Sequence, residues 1–328
     1  MRIFRHHTDL PSEARGAAVA LGNFDGVHRG HKAVIAEAGR IARAEGVPHG
    51  VMTFEPHPRR VFRPDDPPFR LSTLRTKTHW IAATGVDLLF VLQFDATLAR
   101  QDPDAFVAGV LTAGLGVRHV VVGHNFRFGR ARAGTTDALE ALGRDMGFAV
   151  TRVGAVRGAD GADISSTRVR ELLCAGDPVG AGRLLGQWWE VEGRVQHGDK
   201  RGRTIGFPTA NVDMGEQLVP ALGVYAVRAA IDDGGTPQWI DAVANLGRRP
   251  TVDGLKLSFE VHLFDFAGDL YGRHLRVQMV GFVRPERKFD GLDALKAQIA
   301  ADAATARGIL AEAPPVGPAG GADADQSG

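Results

Sequence analysis

Cysteine is almost absent from this chain, whose 328 residues include a single one, Cys174. An intrachain disulfide is therefore excluded, and so is a zinc site built on cysteine pairs. No apolar run approaches the roughly 20 residues that a membrane-spanning helix needs. The N-terminal sequence MRIFRHHTDLPSEARG also lacks the apolar core of a secretory signal. We therefore expect a cytoplasmic protein with no membrane partner.

An excess of charge of one sign is also missing. Lysine and arginine number 39 against 38 aspartate and glutamate, which gives a net charge of +1 at pH 7. This balance offers no electrostatic basis for a large nucleic-acid surface. Because 328 residues are many for a single core, two domains are expected.

The first half of the chain alternates apolar runs with amphipathic ones. The run AAVALGNF predicts a buried strand, and GHKAVIAEAGRIARAEG after it predicts a helix that stops at Gly46. Further strands are predicted at HGVMTFEP, VDLLFVLQF, VRHVVVG and FAVTRVGAV, with helices over PDAFVAGVLTA and DALEALGRDMG. Near-continuous apolar strands between helices indicate an α/β domain with a parallel sheet covered on both faces.

The pattern changes from about Gln187. Strand-like runs follow one another between Gly, Pro and Asp turns, which predicts an antiparallel barrel or sandwich. They are WWEVEGRVQHG, GVYAVRAAID, WIDAVANLG, KLSFEVHLFDF and HLRVQMVGFV, and a helix over LDALKAQIAADAATARGIL closes the series. The last stretch is too polar and too rich in Pro and Gly to fold. We expect domains over residues 1–186 and 187–310, and a disordered tail over 311–328.

The stretch GNFDGVHRGH places two histidines where the first predicted helix begins. In parallel α/β sheets, ligands bind beyond the carboxyl ends of the strands, near helix N-termini. His28 and His31 would face the same side of the first helical turn, where they could donate to phosphate oxygens. Taken alone, the pair could equally be surface histidines that solvate a helix start.

Motifs decide between these interpretations. GNFDGVHRGH resembles the H-x-G-H signature of the nucleotidyltransferase α/β-phosphodiesterase superfamily, and ISSTRVRELL resembles its second signature, I-S-S-T-x-x-R. TFEPHP and VVGHNFRFG resemble loops of the FMN adenylyltransferase module of prokaryotic bifunctional riboflavin kinase/FAD synthetase, a family that often has Asp where this chain has Asn125. The resemblance implies a Rossmann-like nucleotidyltransferase fold, His28 and His31 as catalytic residues, and His57 as a flavin contact. The nucleotide-binding residues it implies are Gly22, Phe24, Asp25, Asn125, Arg127, Ser165, Ser166, Thr167 and Arg168. As alternatives, His57 could be a turn residue between two prolines, and the Ser-Ser-Thr run a set of helix caps.

The second domain opens with GRVQHGDKRGRTIGFPTANV. Its glycines permit a loop to wrap closely around phosphates, although no Walker A motif is present. The residues expected to bind nucleotide in this loop are Gly198, Lys200, Gly202, Arg203 and Gly206. Thr209 and Asn211 alternate on an extended segment and could together hold Mg²⁺ that is already bound to nucleotide phosphates. A β-turn at the same residues is the alternative.

The ordered series GFPTAN, GVYAV, NLGRRPTV, FEVHLFDF, DLYG and RPERKF resembles the riboflavin kinase module of the same family. It implies a six-stranded antiparallel Greek-key β-barrel with a C-terminal helix, Mg²⁺–ATP at Thr209 and Asn211, and Glu260 as the catalytic base. A carboxylate can align a primary hydroxyl and accept its proton; exposure on an edge strand is the alternative for Glu260. Asn245 and Arg248 are expected in a loop that could close over flavin.

The function expected from both halves is phosphorylation of riboflavin to FMN, followed by adenylylation of FMN to FAD with release of pyrophosphate. Riboflavin, FMN and ATP are the expected small-molecule partners, with Mg²⁺ as cofactor, and a homo-oligomer is left open. Three alternatives remain. They are a riboflavin kinase with an inactive N-terminal domain, a nucleotidyltransferase for another phosphorylated metabolite, and a flavin-binding regulator without catalysis.

Overall fold

The computed structural model describes residues 1–197, 207–251 and 254–314. The chain divides into two compact units. The first comprises Met1–Pro67 and Lys77–Ile164, and the second comprises Pro68–Thr76 and the chain from Ser165 onward. None of the helices in the described ranges has the length and apolar character needed to cross a membrane.

A six-stranded parallel sheet forms the core of the first unit, as the alternation of apolar runs predicts. The strand order is β1-β4-β3-β2-β5-β6, and every neighbouring pair is parallel. The strands are β1 Arg2–Phe4, β2 Ala18–Leu21, β3 His49–Glu55, β4 Leu88–Gln93, β5 His119–Gly123 and β6 Ala149–Val153. The helices up to β6 are α1 Arg29–Glu45, α2 Pro58–Phe62, α3 Leu74–Ala82, α4 Ala96–Ala99, α5 Pro103–Phe106 and α6 Thr136–Met146. The pattern does not predict β1, because three residues are too few to show a period.

Helix α1 follows the sheet's second strand and is bounded as the sequence predicts. His28 is its N-cap, and Gly46 ends it in the left-handed conformation with φ of 64°. The buried face comprises Val34, Ile35, Ala38, Gly39, Ile41 and Ala42. Since this apolar face packs on the sheet, the first turn of α1 is fixed at the carboxyl end of β2.

The helix predicted over PDAFVAGVLTA differs from its expected form. The α-helical turn Pro103–Phe106 continues as a π-helix over Val107–Leu115, which ends at a left-handed Gly116. Arg15 donates to the carbonyl oxygens of Gly114 and Ala113 at the end of this segment. The side chain thus satisfies acceptors that a helix C-terminus leaves without intrahelical partners.

The second unit contains a closed six-stranded antiparallel barrel, which confirms the predicted change of class. Around the barrel the strand order is β10-β11-β8-β7-β12-β9. The strands are β7 Trp189–Gln196, β8 Ala210–Val212, β9 Gly223–Ile231, β10 Ile240–Thr251, β11 Gly254–Leu263 and β12 His274–Pro285. The helices of this part of the chain are α7 Ser166–Cys174, α8 Pro178–Leu185 and α9 Leu292–Glu312.

The prediction of a loop at Asn245 and Arg248 is wrong. Both residues lie in β10, where Asn245 pairs with Glu260 and Arg248 with Leu257 of β11. The strand continues through Gly247, where an added Cβ would lie 1.9 Å from a carboxylate oxygen of Glu286. Glycine therefore leaves room beside this strand for the side chain of Glu286, which follows β12.

The C-terminal helix α9 is held at its end by Arg228 of β9. This guanidinium donates to the carbonyl oxygens of Leu310, Ala313 and Pro314 at 2.8–2.9 Å, and the Trp188 indole donates to Pro314 at 3.0 Å. The helix extends to Glu312 and so includes the first two residues of the predicted tail, 311 and 312. Residues 315–328 of the predicted tail lie outside the described residues.

A buried ion pair joins α9 to the barrel. Arg284 of β12 donates to both carboxylate oxygens of Asp302 at 2.7–3.1 Å, and the Gln298 amide donates to the same carboxylate at 2.7 Å. The Asp302 side chain is 6% exposed and that of Arg284 is 19% exposed. Removing one partner would leave a charge in a largely dry site.

Asp302→Ala should lower the free energy of unfolding of the second unit by about 3 kcal/mol, because Arg284 would lose its buried carboxylate. The control is Asp265→Asn, which suits the left-handed backbone at this residue (φ of 55°) and removes only the charge paired with Arg307 of the same helix. The two side chains are 82% and 51% exposed, so loss of this pair should cost less than about 1 kcal/mol. Urea unfolding followed by tryptophan fluorescence measures both, since Trp188, Trp189 and Trp239 lie in this unit. Equal destabilisation by the two substitutions would contradict this account.

Candidate functional site

In the first unit, the turn between β2 and α1 has an unusual backbone. Phe24 and Val27 adopt φ of 48° and 42°, and Gly26 adopts 83°. Such left-handed conformations are unfavourable for residues other than glycine, and they persist where surrounding contacts hold them. Phe24 and Val27 are fully buried, and so is Asp25. The Gly22 amide donates to Met52 at 3.1 Å, which ties the start of the turn to β3.

The turn leads directly into the two histidines. Their rings stack with centroids 3.6 Å apart, and the His31 amide donates to Nδ1 of His28 at 3.2 Å. The Phe24 ring meets His31 edge-on at 5.2 Å. Because Nδ1 of His28 accepts a hydrogen bond, a neutral His28 carries its proton on Nε2 and can donate from there.

Lys32 adds an unusual cation to the same helical turn. Burial, together with the nearby charge of Arg29, lowers the pKa of Lys32 to about 8. The positive end of the helix dipole lies in this turn as well. The first turn of α1 therefore suits an anion, and a bound polyphosphate would favour the protonated form of Lys32.

A cavity of about 710 Å³ lies in the same unit. Its aromatic lining residues are Phe54, Phe62, Phe94, Phe106, Phe126 and Phe128. The other side chains on its wall include Asn23, His57, Asn125, Arg59, Arg63, Arg127 and Arg132, and no acidic residue is among the described lining residues. Aromatic walls with a cationic rim fit a flat ring system that carries a negative charge.

The cavity contains three of the predicted site residues: His57, Asn125 and Arg127. His57 also caps α2 by accepting a hydrogen bond from the Arg59 amide at 3.1 Å, so it has both the turn role and a position on the cavity wall. The sequence interpretation missed the aromatic lining. The motifs could have indicated part of that lining, since Phe54 lies in TFEPHP and Phe126 and Phe128 lie in VVGHNFRFG.

Four of the five residues of the ISSTR motif, Ser165 to Arg168, lie at the start of α7, in the second unit. Ser165 is the N-cap of this helix and accepts a hydrogen bond from the Arg168 amide at 3.3 Å. Ser166 and Thr167 follow in the first turn. In the first unit, the carbonyl oxygen of Ile164 lies 3.6 Å from the position that a Cβ would take if Gly30 had one. The first residue of the motif therefore lies beside the first turn of α1.

The second candidate site surrounds the carboxylate of Glu260 on β11. The Thr209 hydroxyl donates to one carboxylate oxygen at 3.3 Å, and the Ser258 hydroxyl donates to the other at 2.9 Å. In the strand register, Glu260 lies between Asn211 of β8 and Asn245 of β10. Directly paired residues project from the same face of a sheet. The fold therefore gathers Thr209, Asn211, Asn245 and Glu260 in one polar row.

Two of the alternatives for this region can now be dismissed. Glu260 is not on an edge strand, because β11 has a partner on each side in a closed barrel. Asn211 lies within β8 and not in a β-turn. Ser258 is a neighbour of the carboxylate that the motifs did not reveal, although its position two residues before Glu260 places it on the same strand face.

The other predicted site residues of this unit do not join the polar row around Glu260 in the described structure. Arg248 is exposed on β10. The glycine-rich residues Gly198, Lys200, Gly202, Arg203 and Gly206 lie outside the described residues. A small pocket of about 70 Å³ adjoins Thr209 and is lined by Val195, Leu263 and Tyr271 among others.

The donors around Glu260 fit a hard divalent cation. Thr209 offers a hydroxyl oxygen and Asn211 an amide oxygen, both of the ligand class that Mg²⁺ prefers, and the Glu260 carboxylate lies beside them. Mg²⁺ usually takes few ligands from protein and the others from water and substrate phosphates. A set of two or three oxygen donors beside a phosphate site is therefore sufficient.

Comparisons with known proteins also divide the chain into two segments. The family model for FAD synthetase matches residues 10–168, and that for riboflavin kinase matches residues 185–310. A bifunctional riboflavin kinase/FMN adenylyltransferase of Escherichia coli K12 is 43% identical over 313 residues, which cover 94% of this chain and 97% of that protein. The proteins of the same name from Pseudomonas fluorescens and Bacillus subtilis are 44% and 39% identical, covering 95% and 92% of this chain and 98% and 95% of their own.

A solved structure is similar over most of the chain as well. It is described as a macrolide-efflux protein from Streptococcus pneumoniae, and it superposes with a TM-score of 0.82 at 32% sequence identity. The match covers 93% of this chain and 98% of the other. Both units thus have counterparts in one solved chain.

The lysine in the first turn of α1 should titrate with a midpoint near pH 8. Because its native pKa is lowered, the unfolded chain binds this proton more tightly, so the stability contributed by Lys32 should rise between about pH 8 and its usual value of about 10.4. Tripolyphosphate should move the midpoint upward. NMR titration of the lysine ε-carbons measures the midpoint and its shift with tripolyphosphate, with Lys32→Arg for assignment and the exposed Lys288 as reference. Urea unfolding as a function of pH measures the change in stability. A midpoint that does not respond to tripolyphosphate would contradict an anion site here.

Proposed function

Since the chain belongs to the bifunctional riboflavin kinase/FMN adenylyltransferase family, we propose that the two segments matched by the family models carry one activity each. The protein phosphorylates riboflavin to FMN and adenylylates FMN to FAD, with ATP as co-substrate in both reactions. In our proposal, a domain over residues 1–186 makes FAD and a domain over residues 187–310 makes FMN. Because both family models match, neither a single-activity kinase nor a regulator without catalysis is favoured.

One observation supports the proposal for the first unit above the others. Asn23 lies in the turn that leads to His28 and His31, and it also lines the aromatic cavity. A flavin ring held among the phenylalanines would therefore have its phosphate near the histidines. The arginines on the cavity wall favour the phosphorylated flavin over neutral riboflavin, since they would stabilise its charge.

The adenylyl transfer needs little base catalysis. A phosphate oxygen of FMN is already an anionic nucleophile, and it attacks the α-phosphorus of ATP while pyrophosphate leaves. His28, with its proton on Nε2, and His31 would donate to the triphosphate and stabilise the charge that develops in the transition state. Lys32 and the dipole of α1 add to the same stabilisation. That Ser165, Ser166, Thr167 and Arg168 also bind nucleotide stays a prediction.

The phosphorylation of riboflavin needs a base. The 5′-hydroxyl is a weak nucleophile, and Glu260 would accept its proton as the oxygen attacks the γ-phosphorus of ATP and ADP leaves. Ser258 and Thr209 fix the carboxylate through one hydrogen bond to each oxygen. Thr209 and Asn211 would hold Mg²⁺, which supplies neutralisation of phosphate charge. Because ATP is consumed in both reactions, we place the enzyme in the cytoplasm.

His31→Ala should lower kcat for FAD formation at least about 100-fold and leave FMN formation within twofold of wild type. Glu260→Gln should do the reverse, with a loss of about 10²- to 10⁴-fold in riboflavin phosphorylation when a proton acceptor is removed. A timed assay with riboflavin, ATP and Mg²⁺, or with FMN supplied directly, separates the flavins by chromatography. Each activity is the control for the other, and a folded variant that lost both would refute the division into two sites.

Phe62→Ala tests the flavin cavity with little risk to the fold, since Phe62 is 61% exposed. Loss of one aromatic contact should raise KM for FMN about fivefold to tenfold and leave kcat near normal. Ile3→Ala is the matched control, because Ile3 is a similarly exposed apolar residue of the same unit that does not line the cavity. An unchanged KM for FMN in Phe62→Ala would place the flavin elsewhere.

A further inference from the structure

Lys77, on α3, is one of the largest fully buried side chains of the chain, with 1% of its surface exposed. Its ammonium group donates to the carbonyl oxygen of Asn23 at 2.9 Å. Lysine is almost never fully buried unless its charge is compensated, because desolvation of an ammonium group is costly. Neither reaction described above uses this residue.

A second donor reaches the same carbonyl. The hydroxyl of Thr53 on β3, which is fully buried, donates to the oxygen of Asn23 at 3.0 Å. In a planar trans peptide the carbonyl and the following N–H point in opposite directions. Fixing this oxygen toward Lys77 and Thr53 therefore fixes the amide of Phe24 toward the opposite side of the turn.

The peptide held in this way precedes the strained part of the turn. Phe24 has φ of 48°, so the chain enters the left-handed region directly after the fixed carbonyl. An unfavourable backbone conformation persists only when its surroundings determine it. Lys77 and Thr53 supply that determination from two different elements.

We infer that Lys77 is a positioning residue for the adenylyl transfer. It sets the peptide at which the flavin cavity and the histidine turn meet, because Asn23 belongs to both. This inference rests on the proposed function of the first unit and assigns Lys77 no contact with substrate.

The test is Lys77→Met in the full chain, which keeps the length of the side chain and removes its charge and its donors. We expect kcat for FAD formation to fall at least about 30-fold and KM for ATP to rise at least about threefold, as for loss of a charged hydrogen bond. Riboflavin phosphorylation by the same preparation should stay within twofold. A loss of folded first unit would lower the apparent kcat at an unchanged KM for ATP, and that result would overturn the inference.

Thr53→Val is the second variant, and it removes only the neutral donor. It should lower kcat for FAD formation about threefold to tenfold and raise KM for ATP in the same direction. Because both side chains act on one carbonyl, the double variant should lose less than the product of the two single losses. If Lys77→Met also loses kinase activity, Thr53→Val is the deciding variant. Wild-type values of kcat for FAD formation and of KM for ATP in Thr53→Val would then overturn the inference.

His31→Ala, assayed beside these variants, distinguishes failure of the positioning role of Lys77 from failure of the proposed function of the first unit. If it abolishes FAD formation while Lys77→Met and Thr53→Val keep kcat and KM for ATP within twofold of wild type, the positioning role alone is overturned. If His31→Ala keeps FAD formation, the proposed function of the first unit fails and the inference fails with it.

Discussion

An unpaired polar group in apolar surroundings costs several kcal/mol, and one buried acceptor in each unit meets this cost with two donors. The Asn23 carbonyl accepts from Lys77 and Thr53, and the Asp302 carboxylate accepts from Arg284 and Gln298. This constraint does more than stabilise the fold. An acceptor held by two donors cannot reorient freely, so the same pairing that offsets burial also fixes the peptide or carboxylate that accepts.

The two candidate sites meet this constraint in different settings, and their chemistry differs accordingly. At the carboxyl edge of the parallel sheet, histidines and a helix terminus surround the position that we propose for the phosphates, and the described cavity wall carries no carboxylate. In the barrel, a carboxylate lies in a row of neutral oxygen donors. A phosphate nucleophile needs only neutralisation and alignment, whereas a hydroxyl must also lose a proton.

Sequence periodicity predicted the parallel sheet and the barrel because both depend on local apolar patterns. The motifs placed His28, Thr209 and Glu260 because these residues lie in short contiguous stretches. Other features depend on contacts between distant segments. Phe62, Phe94 and Phe106 meet in one cavity, and Lys77 reaches Asn23, only once the sheet has formed. The loop expected at Asn245 is a strand because the ladder with β11 continues past Gly247, which no local signal indicates.

Closure of the barrel has a consequence for how the chain can misassemble. A closed ring of strands presents no free edge, and free edges are where one chain recruits another by strand addition. The parallel sheet of the first unit retains two edges, at β1 and β6. The β1 edge offers only three residues for pairing, although Ile3 is 48% exposed there. Intermolecular strand pairing between folded molecules would therefore begin at the first unit, and the shortness of β1 limits it at that edge, whereas β6 offers five residues.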